Sequence, residues 1–275
     1  MQLRDLVTSL TPHRIGDRVF EADPYDRGAG VVDAGTVAGL IVAAAGDDGA
    51  PIRSMHATFF RSAVPTGGLT LTVDDIHAGR TLGVRSVSVA QGRQIAVAHV
   101  VVGPAGDSAL EHATGPDMLP PVPNAPTPQA FSPHPGFATV VGDVNPFDAD
   151  GEWPPTWQVW VDCDGVPPGT SRTAFVAFHA NEYLVSAAVL PHRGFGMGEA
   201  HRGMLTVITS SDVVFHDLSS IERWLLFEQT STFAGAGWVY GRGAAYTESG
   251  LLVASFSQQA ILRPTAGQHP SLRSK

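Results

Sequence analysis

Met55-His56-Ala57-Thr58-Phe59-Phe60 opens a stretch that runs through Gly79-Arg80 and Val84-Arg85 to the turn Gln91-Gly92 and the strand Ile95-Ala96-Val97-Ala98. Roughly 156 residues later the pattern recurs, as a search for internal repeats brings out. There Asp212-Val213-Val214-Phe215-His216 leads through Gly241-Arg242 to Glu248-Ser249-Gly250 and Leu251-Leu252-Val253-Ala254. Each copy is preceded by an apolar segment with few charges on any side, Ala34 to Ala45 in the first and Ala180 to Leu190 in the second. A helix polar on no face is a buried helix, and small residues let a sheet wrap closely around it. The repeat therefore specifies a central helix and an antiparallel meander, stated twice. The copies differ where the second has Ser257-Gln258-Gln259 and the first has Val100-Val101-Val102, and function is expected at that difference.

The strands follow from alternation. Leu69-Thr70-Leu71-Thr72-Val73 alternates apolar with polar residues, which gives a sheet one buried and one wet face. The first copy is predicted to hold strands over Ile52 to Arg61, Leu69 to Ile76, Thr81 to Gln91 and Gln94 to Val102. Its turns lie at Pro65-Thr66-Gly67-Gly68, His77-Ala78-Gly79 and Gln91-Gly92. The second is predicted to resume with strands at Trp157 to Val161 and Arg172 to Phe178, then the helix Ala180 to Leu190, ended by Pro191. Strands near Met204 to His216, Trp224 to Phe233, Trp238 to Thr247 and Leu251 to Leu262 complete it. Between the copies, Gly103 to Pro155 holds more than half of the chain's 21 prolines. Proline fixes φ and removes a donor, so regular structure is not expected there, and Phe131, Phe137 and Phe147 are expected to pack this excursion onto the sheet. The chain divides into an N-terminal unit (1–103), a proline-rich connector (104–155), a C-terminal unit (156–265) and a polar tail (266–275).

Composition excludes several classes. The 275 residues, 43% of them hydrophobic, suffice for a substantial core. A formal net charge of -9 without a Lys/Arg-rich run speaks against a phosphate-backbone partner, so no nucleic acid is expected. Met1-Gln2-Leu3-Arg4-Asp5-Leu6 does not read as a secretory signal. The apolar run Val31 to Ala45 is shorter than the roughly 20 residues that span a bilayer, so no membrane insertion is expected. Cys163 is the only cysteine, which rules out an internal disulfide and fits a reducing cytoplasm.

Familiar catalytic motifs are missing. His56, His99, His112, His134, His179, His192, His201 and His216 are scattered without metal-ligand spacing, so no metal is expected. Gly194-Phe195-Gly196-Met197-Gly198 follows a helix, whereas a dinucleotide-binding glycine loop follows a strand. There is no GxSxG elbow to supply a nucleophilic serine.

The C-terminal block carries a resemblance. Trp224-Leu225-Leu226-Phe227, Thr230-Ser231-Thr232, Gly241-Arg242-Gly243, Tyr246 through Ser255, and Gln258 through Arg263 resemble the acyl-CoA thioesterase II family. Ser54 through Phe60 and Ala34 through Gly39 extend the likeness into the first half, and Leu190-Pro191-His192 into the second. The resemblance implies an α+β double hotdog, with two central helices each wrapped by a curved antiparallel sheet. It also implies hydrolysis of acyl-CoA to free fatty acid and CoA without a cofactor. In that family an Asp, a Thr or Ser, and a Gln position a water for direct attack on the thioester. Gln258 falls on the glutamine, its register set by Ala254-Ser255 and Arg263. Counting back from Pro191-His192 puts the aspartate on Asn181, at the start of the predicted helix, where an asparagine can bind a water but cannot take its proton. Counting from Phe215-His216 puts the hydroxyl on Ile208; Ser210 shares that face by period two, Thr209 requires a one-residue slip, and Asp212 lies on the face of Ser210. Ser210 is taken as the third member, beside Asn181 and Gln258.

Asn181 in place of the acid leaves open a hotdog that binds acyl-CoA with little or no turnover. An enoyl thioester hydratase is the other alternative, with His179 present but no paired acid. Because sheet edges are commonly covered by pairing, a homodimer or higher homo-oligomer is expected.

Overall fold

The computed structural model describes residues 2–25, 28, 30–126, 134, 136–199 and 203–265. The polar tail (266–275), Phe131 and His201 lie outside the described residues. A short helix α1 (Leu3–Ser9) and a hairpin of β1 (His13–Gly16) and β2 (Val19–Ala22) precede α2 (Ala34–Ala45) and the meander β3 (Ile52–Phe59), β4 (Leu69–Ala78), β5 (Gly83–Gln91) and β6 (Arg93–Val102). The connector contributes β7 (Ala138–Val140). The second half contains β8 (Thr156–Asp162), α3 (Thr170–Ala180), α4 (Leu184–Val189), a 3₁₀ turn (Met197–Glu199), and the strands β9 (Met204–Phe215), β10 (Trp224–Gly235), β11 (Trp238–Thr247) and β12 (Leu252–Pro264).

All twelve strands form one sheet in the order β1-β2-β4-β5-β6-β3-β9-β12-β11-β10-β8-β7, antiparallel throughout. The two halves of that order correspond strand for strand, from the centre outward: β3 with β9, β6 with β12, β5 with β11, β4 with β10 and β2 with β8. At the centre β3 pairs with β9, and His56 lies opposite Asp212, 156 positions away, which is the repeat distance itself. The two copies thus meet at equivalent positions, as a local two-fold relation requires.

Helix α2 forms where the sequence predicts it. Asp33 caps its start, accepting from the Thr36 N–H at 2.6 Å. Ten of its twelve residues are buried. The small residues have a use different from the expected one: they admit another helix. A Cβ on Gly35 would lie 2.7 Å from the Phe178 carbonyl oxygen, and one on Gly39 would lie 3.0 Å from that of Ala174. Gly35 and Gly39 are one turn apart on α2, and Ala174 and Phe178 are one turn apart on α3, so the two backbones touch along matching stripes. The sheet encloses this pair of helices.

Helix α3 corrects the sequence reading, in which Arg172 to Phe178 was a strand. Ala174-Phe175-Val176-Ala177-Phe178 is buried on every side, and such a run has no period to tell strand from helix. The helix predicted over Ala180 to Leu190 is correspondingly reduced to α4. Asn181 stands not at a helix start but at the C-terminal cap of α3, with φ -106° and ψ 7°. Its side-chain N–H donates to the Ala177 carbonyl at 2.9 Å, consuming the acceptor of the last turn.

The connector contains β7, regular structure that its proline content speaks against. Phe137 is buried and stacks on His134, ring centres 5.0 Å apart, whereas Phe147 is half exposed. Cys163 is buried, its thiol donating to the Arg223 carbonyl at 2.7 Å, and burial pushes its pKa up to about 12. Among the described residues no helix is long and apolar enough to cross a membrane.

The Cβ and two methyls of a valine at the helix contact have nowhere to go. Gly39→Val is expected to lower stability by about 2–3 kcal/mol through overpacking, read as a shifted urea midpoint. An unchanged midpoint would mean that the helices part without penalty.

Candidate active site

Strand β12 sends Phe256, Gln258 and Ala260 inward and leaves Gln259 exposed. Opposite Gln258 on β11 is Gly241, and opposite Gln229 on β10 is Gly243. These two glycines leave the inner face of β11 bare between two glutamines. The space is shared with α4, since a Cβ at Gly241 would overlap Leu184 and the Thr230 carbonyl. Across the bare face the Gln229 Nε2 donates to Gln258 Oε1 at 2.9 Å. Gln258 Nε2 in turn donates to Asn181 Oδ1 at 2.7 Å, and Asn181 Nδ2 to the Ala177 carbonyl. All three side chains are buried. The result is an unbroken amide chain from the sheet to the end of α3. In the first half Val100 takes the place of Gln258, pairing with Met55 as Gln258 pairs with Ser211 and lying opposite Arg85 rather than a glycine, and no such chain can form there.

Gln258 and Asn181 are therefore brought together, but Ser210 is not. Thr209 is a bulge: Gln259 pairs with Ser210, while Ala260 pairs with Ile208. An extra residue shifts the alternation by one. Ile208 and Ser211 consequently share the inner face, and Ser210, opposite Gln259 and the exposed Thr58, is turned to the outer one. The buried hydroxyl opposite Gln258 is that of Ser211, flanked on its other side by Ala57. The Thr209 hydroxyl donates to the Gln259 carbonyl at 3.1 Å, away from the amide chain. Asp212 is also on the outer face, paired with His56 Nδ1 at 2.7 Å and accepting from Ser257 at 3.3 Å. Ser211 Oγ and Gln229 Oε1 are buried without a hydrogen-bond partner among the described residues.

A cavity of about 620 Å³ opens beside the amide chain, a size suited to a small-molecule site. Asp33, Phe59, Trp157, Asn181, Glu182 and Ile208 are among its walls. Asn181 faces the cavity, and Gln258 is directly behind it. Ile208, the residue reached by the direct count, also lines the wall, so an apolar side chain stands where the resemblance calls for a hydroxyl. The first turn of α4, Leu184 to Ser186, borders the same space, and first-turn N–H groups have no partner within the helix.

Glu182 was missed in the sequence. Its side chain is only 6% exposed, and its Oε2 lies 3.3 Å from His134 Nε2. The other oxygen, Oε1, lies against the first turn of α2, 2.8 Å from where a Cβ on Gly35 would be. The only local signal was its adjacency to Asn181. Gln229 was missed too, for its significance depends on the glycines of the next strand. Among the described residues no group of three or more His, Cys, Asp or Glu side chains could hold a metal ion.

Comparison with known proteins bears on this arrangement. The family model for the acyl-CoA thioesterase N-terminal domain matches residues 22–103, and that for the C-terminal domain matches residues 116–262. The tesB protein of Mycobacterium avium subsp. paratuberculosis is 20% identical with a TM-score of 0.73, covering 96% of this chain and 100% of that one. An acyl-CoA thioesterase II, TesB2, from Mycobacterium marinum is 19% identical with a TM-score of 0.75, covering 97% and 100%. A conserved protein of unknown function with the hotdog fold from Alicyclobacillus acidocaldarius is 17% identical with a TM-score of 0.72, covering 95% and 99%. No curated protein sequence matches the chain. At these identities the structural likeness establishes an α+β hotdog-type fold, and the two family matches, which together span most of the chain, establish that it belongs to the acyl-CoA thioesterase family.

Proposed function

We propose that the protein is a double hotdog acyl-CoA thioesterase, with hotdog units over 1–103 and 156–265 joined by the 104–155 connector. It hydrolyses acyl-CoA to free fatty acid and CoA. The observation that carries this reading is the 2.7 Å contact between Gln258 and Asn181 on the wall of the 620 Å³ cavity. Asn181 presents its amide to the cavity, and Gln258 fixes the orientation of that amide from behind. A water held there attacks the thioester carbonyl directly, with no acyl-enzyme. The carbonyl oxygen lies against the first-turn N–H groups of α4, which favour developing negative charge.

A second reading is favoured by one specific residue. Asn181 is neutral, so the protein could bind acyl-CoA and hydrolyse little of it. Turnover measured across short, medium and long acyl-CoAs separates the two. Hydrolysis of at least one chain length is expected, and Gln258→Ala is expected to lower kcat by about 10²-fold, the size of effect known for loss of a positioned amide. Binding without turnover at every length, unimproved by Asn181→Asp, would establish the second reading instead.

The bulge at Thr209 supports Ser211, rather than Ser210, as the inner-face hydroxyl beside the amide chain. Ser211→Ala is expected to reduce kcat by about tenfold, the equivalent of one net hydrogen bond, without lowering the melting temperature. Ser210→Ala is expected to change neither. The reverse ranking in a steady-state assay would sink this assignment.

The terminal strand β1 is only four residues long, and among the described residues no strand pairs with its outer edge. We infer a homodimer or higher homo-oligomer. Light scattering should give a mass at least double the 28.9 kDa of one chain, and a purely monomeric peak would refute this.

A further inference from the structure

We infer that Glu182 is the general base of this site, a carboxylate displaced by one residue from Asn181. The inference rests on the thioesterase reading above. Water attack on a thioester needs a proton acceptor, and neither amide of the Asn181–Gln258 pair can serve. Among the described side chains that line the cavity, three are charged groups: Asp33, Arg61 and Glu182. Arg61 is a cation and cannot accept a proton. The Asp33 carboxylate caps α2, accepting from the Thr36 N–H at 2.6 Å. Glu182 is left.

Its surroundings are built to hold a carboxylate in place. His134, itself only 1% exposed, approaches Oε2 at 3.3 Å. His134 is fixed by stacking on Phe137 at 5.0 Å and by edge contact with His179 at 5.3 Å, so the carboxylate has a rigid partner. It does not line the cavity and therefore acts on the reaction only through Glu182. On the other side Oε1 rests against Gly35 in the first turn of α2, where the helix end carries partial positive charge. Glycine at residue 35 leaves room for this placement, since a Cβ there would come within 2.8 Å of Oε1. Burying an acidic side chain to 6% exposure is unfavourable unless it is paired, and here the pairing leaves it on the wall of the cavity.

In the step assigned to it, Glu182 takes one proton from the water as the water oxygen bonds to the thioester carbon. When the tetrahedral intermediate collapses, the C–S bond breaks and the thiolate leaves with its electron pair. The proton held on Glu182 passes to that sulfur, giving the carboxylic acid and CoA thiol and restoring the carboxylate. Asn181, held in place by Gln258, orients the water throughout, and no further reactant is required.

The test compares the full-length protein with Glu182→Gln, Glu182→Asp and Glu182→Ala on the acyl-CoA that the wild type hydrolyses best, with circular dichroism as the check on folding. Glu182→Gln is expected to lower kcat by about 10²–10⁴-fold, the range of general-base catalysis, with KM within about threefold. Glu182→Asp should retain intermediate activity. Glu182→Ala should regain turnover when formate or acetate is added, a response that a merely structural role would not give. A folded Glu182→Gln with kcat near that of the wild type overturns the assignment and leaves the hydrolase reading standing. So does failure of the small carboxylates to rescue a folded Glu182→Ala. A wild type that hydrolyses no acyl-CoA overturns both.

Discussion

Contact between the backbones of α2 and α3 is the constraint on which the rest of the molecule depends. Helices ordinarily pack with axes 8–10 Å apart, the spacing set by intervening side chains. Here Gly35 and Gly39 remove those side chains on one partner, so its backbone meets the carbonyls of Phe178 and Ala174 on the other. A single sheet can then close around both helices. The same closeness brings the start of α2 up to the end of α3, so that Asp33, Asn181 and Glu182 meet on one cavity wall. The site is thus a by-product of how tightly two helices fit.

The amide chain is the second consequence of leaving atoms out. Gln229 and Gln258 belong to strands separated by β11, and on an ordinary sheet the side chains of the middle strand would keep them apart. With Gly241 and Gly243 facing inward, the gap can be spanned by the glutamines themselves. Buried amides of this kind are tolerated only when paired, and each link orients the next, so Asn181 is fixed from two directions. Gly241-Arg242-Gly243 therefore carries a spatial requirement, which accounts for its place among the residues of the family resemblance.

The outer architecture was open to reading in the chain because strands and turns have strong local signatures. The alternation in Leu69 to Val73 and the turn at Gln91-Gly92 lie where a strand and a hairpin form. Helix α2 was legible from its unbroken run of small apolar residues. Helix α3 was not, because Ala174 to Phe178 is apolar at every position and burial on all sides erases the period. Gln258 and Asn181, placed in the candidate site by counting along the chain, lie in contact. Ser210 could not be told from Ser211 that way, since the bulge at Thr209 is a tertiary adjustment with no residue type to announce it. Glu182 was further out of reach, for its partners come from the connector at His134 and from α2 at Gly35.

The pairing of His56 with Asp212 shows what covalent duplication makes available. In an assembly of two identical chains, a residue on the symmetry axis must face its own copy, so a histidine there would oppose a histidine and an aspartate an aspartate. Joining both copies in one polypeptide lifts that restriction at the central seam. Unlike residues can then be selected on either side of the axis, and an acid–imidazole contact of 2.7 Å replaces what would otherwise be a clash of like with like. The same freedom lets one half of the protein hold a glutamine while its twin holds Val100, so the two halves can diverge in chemistry while sharing one scaffold.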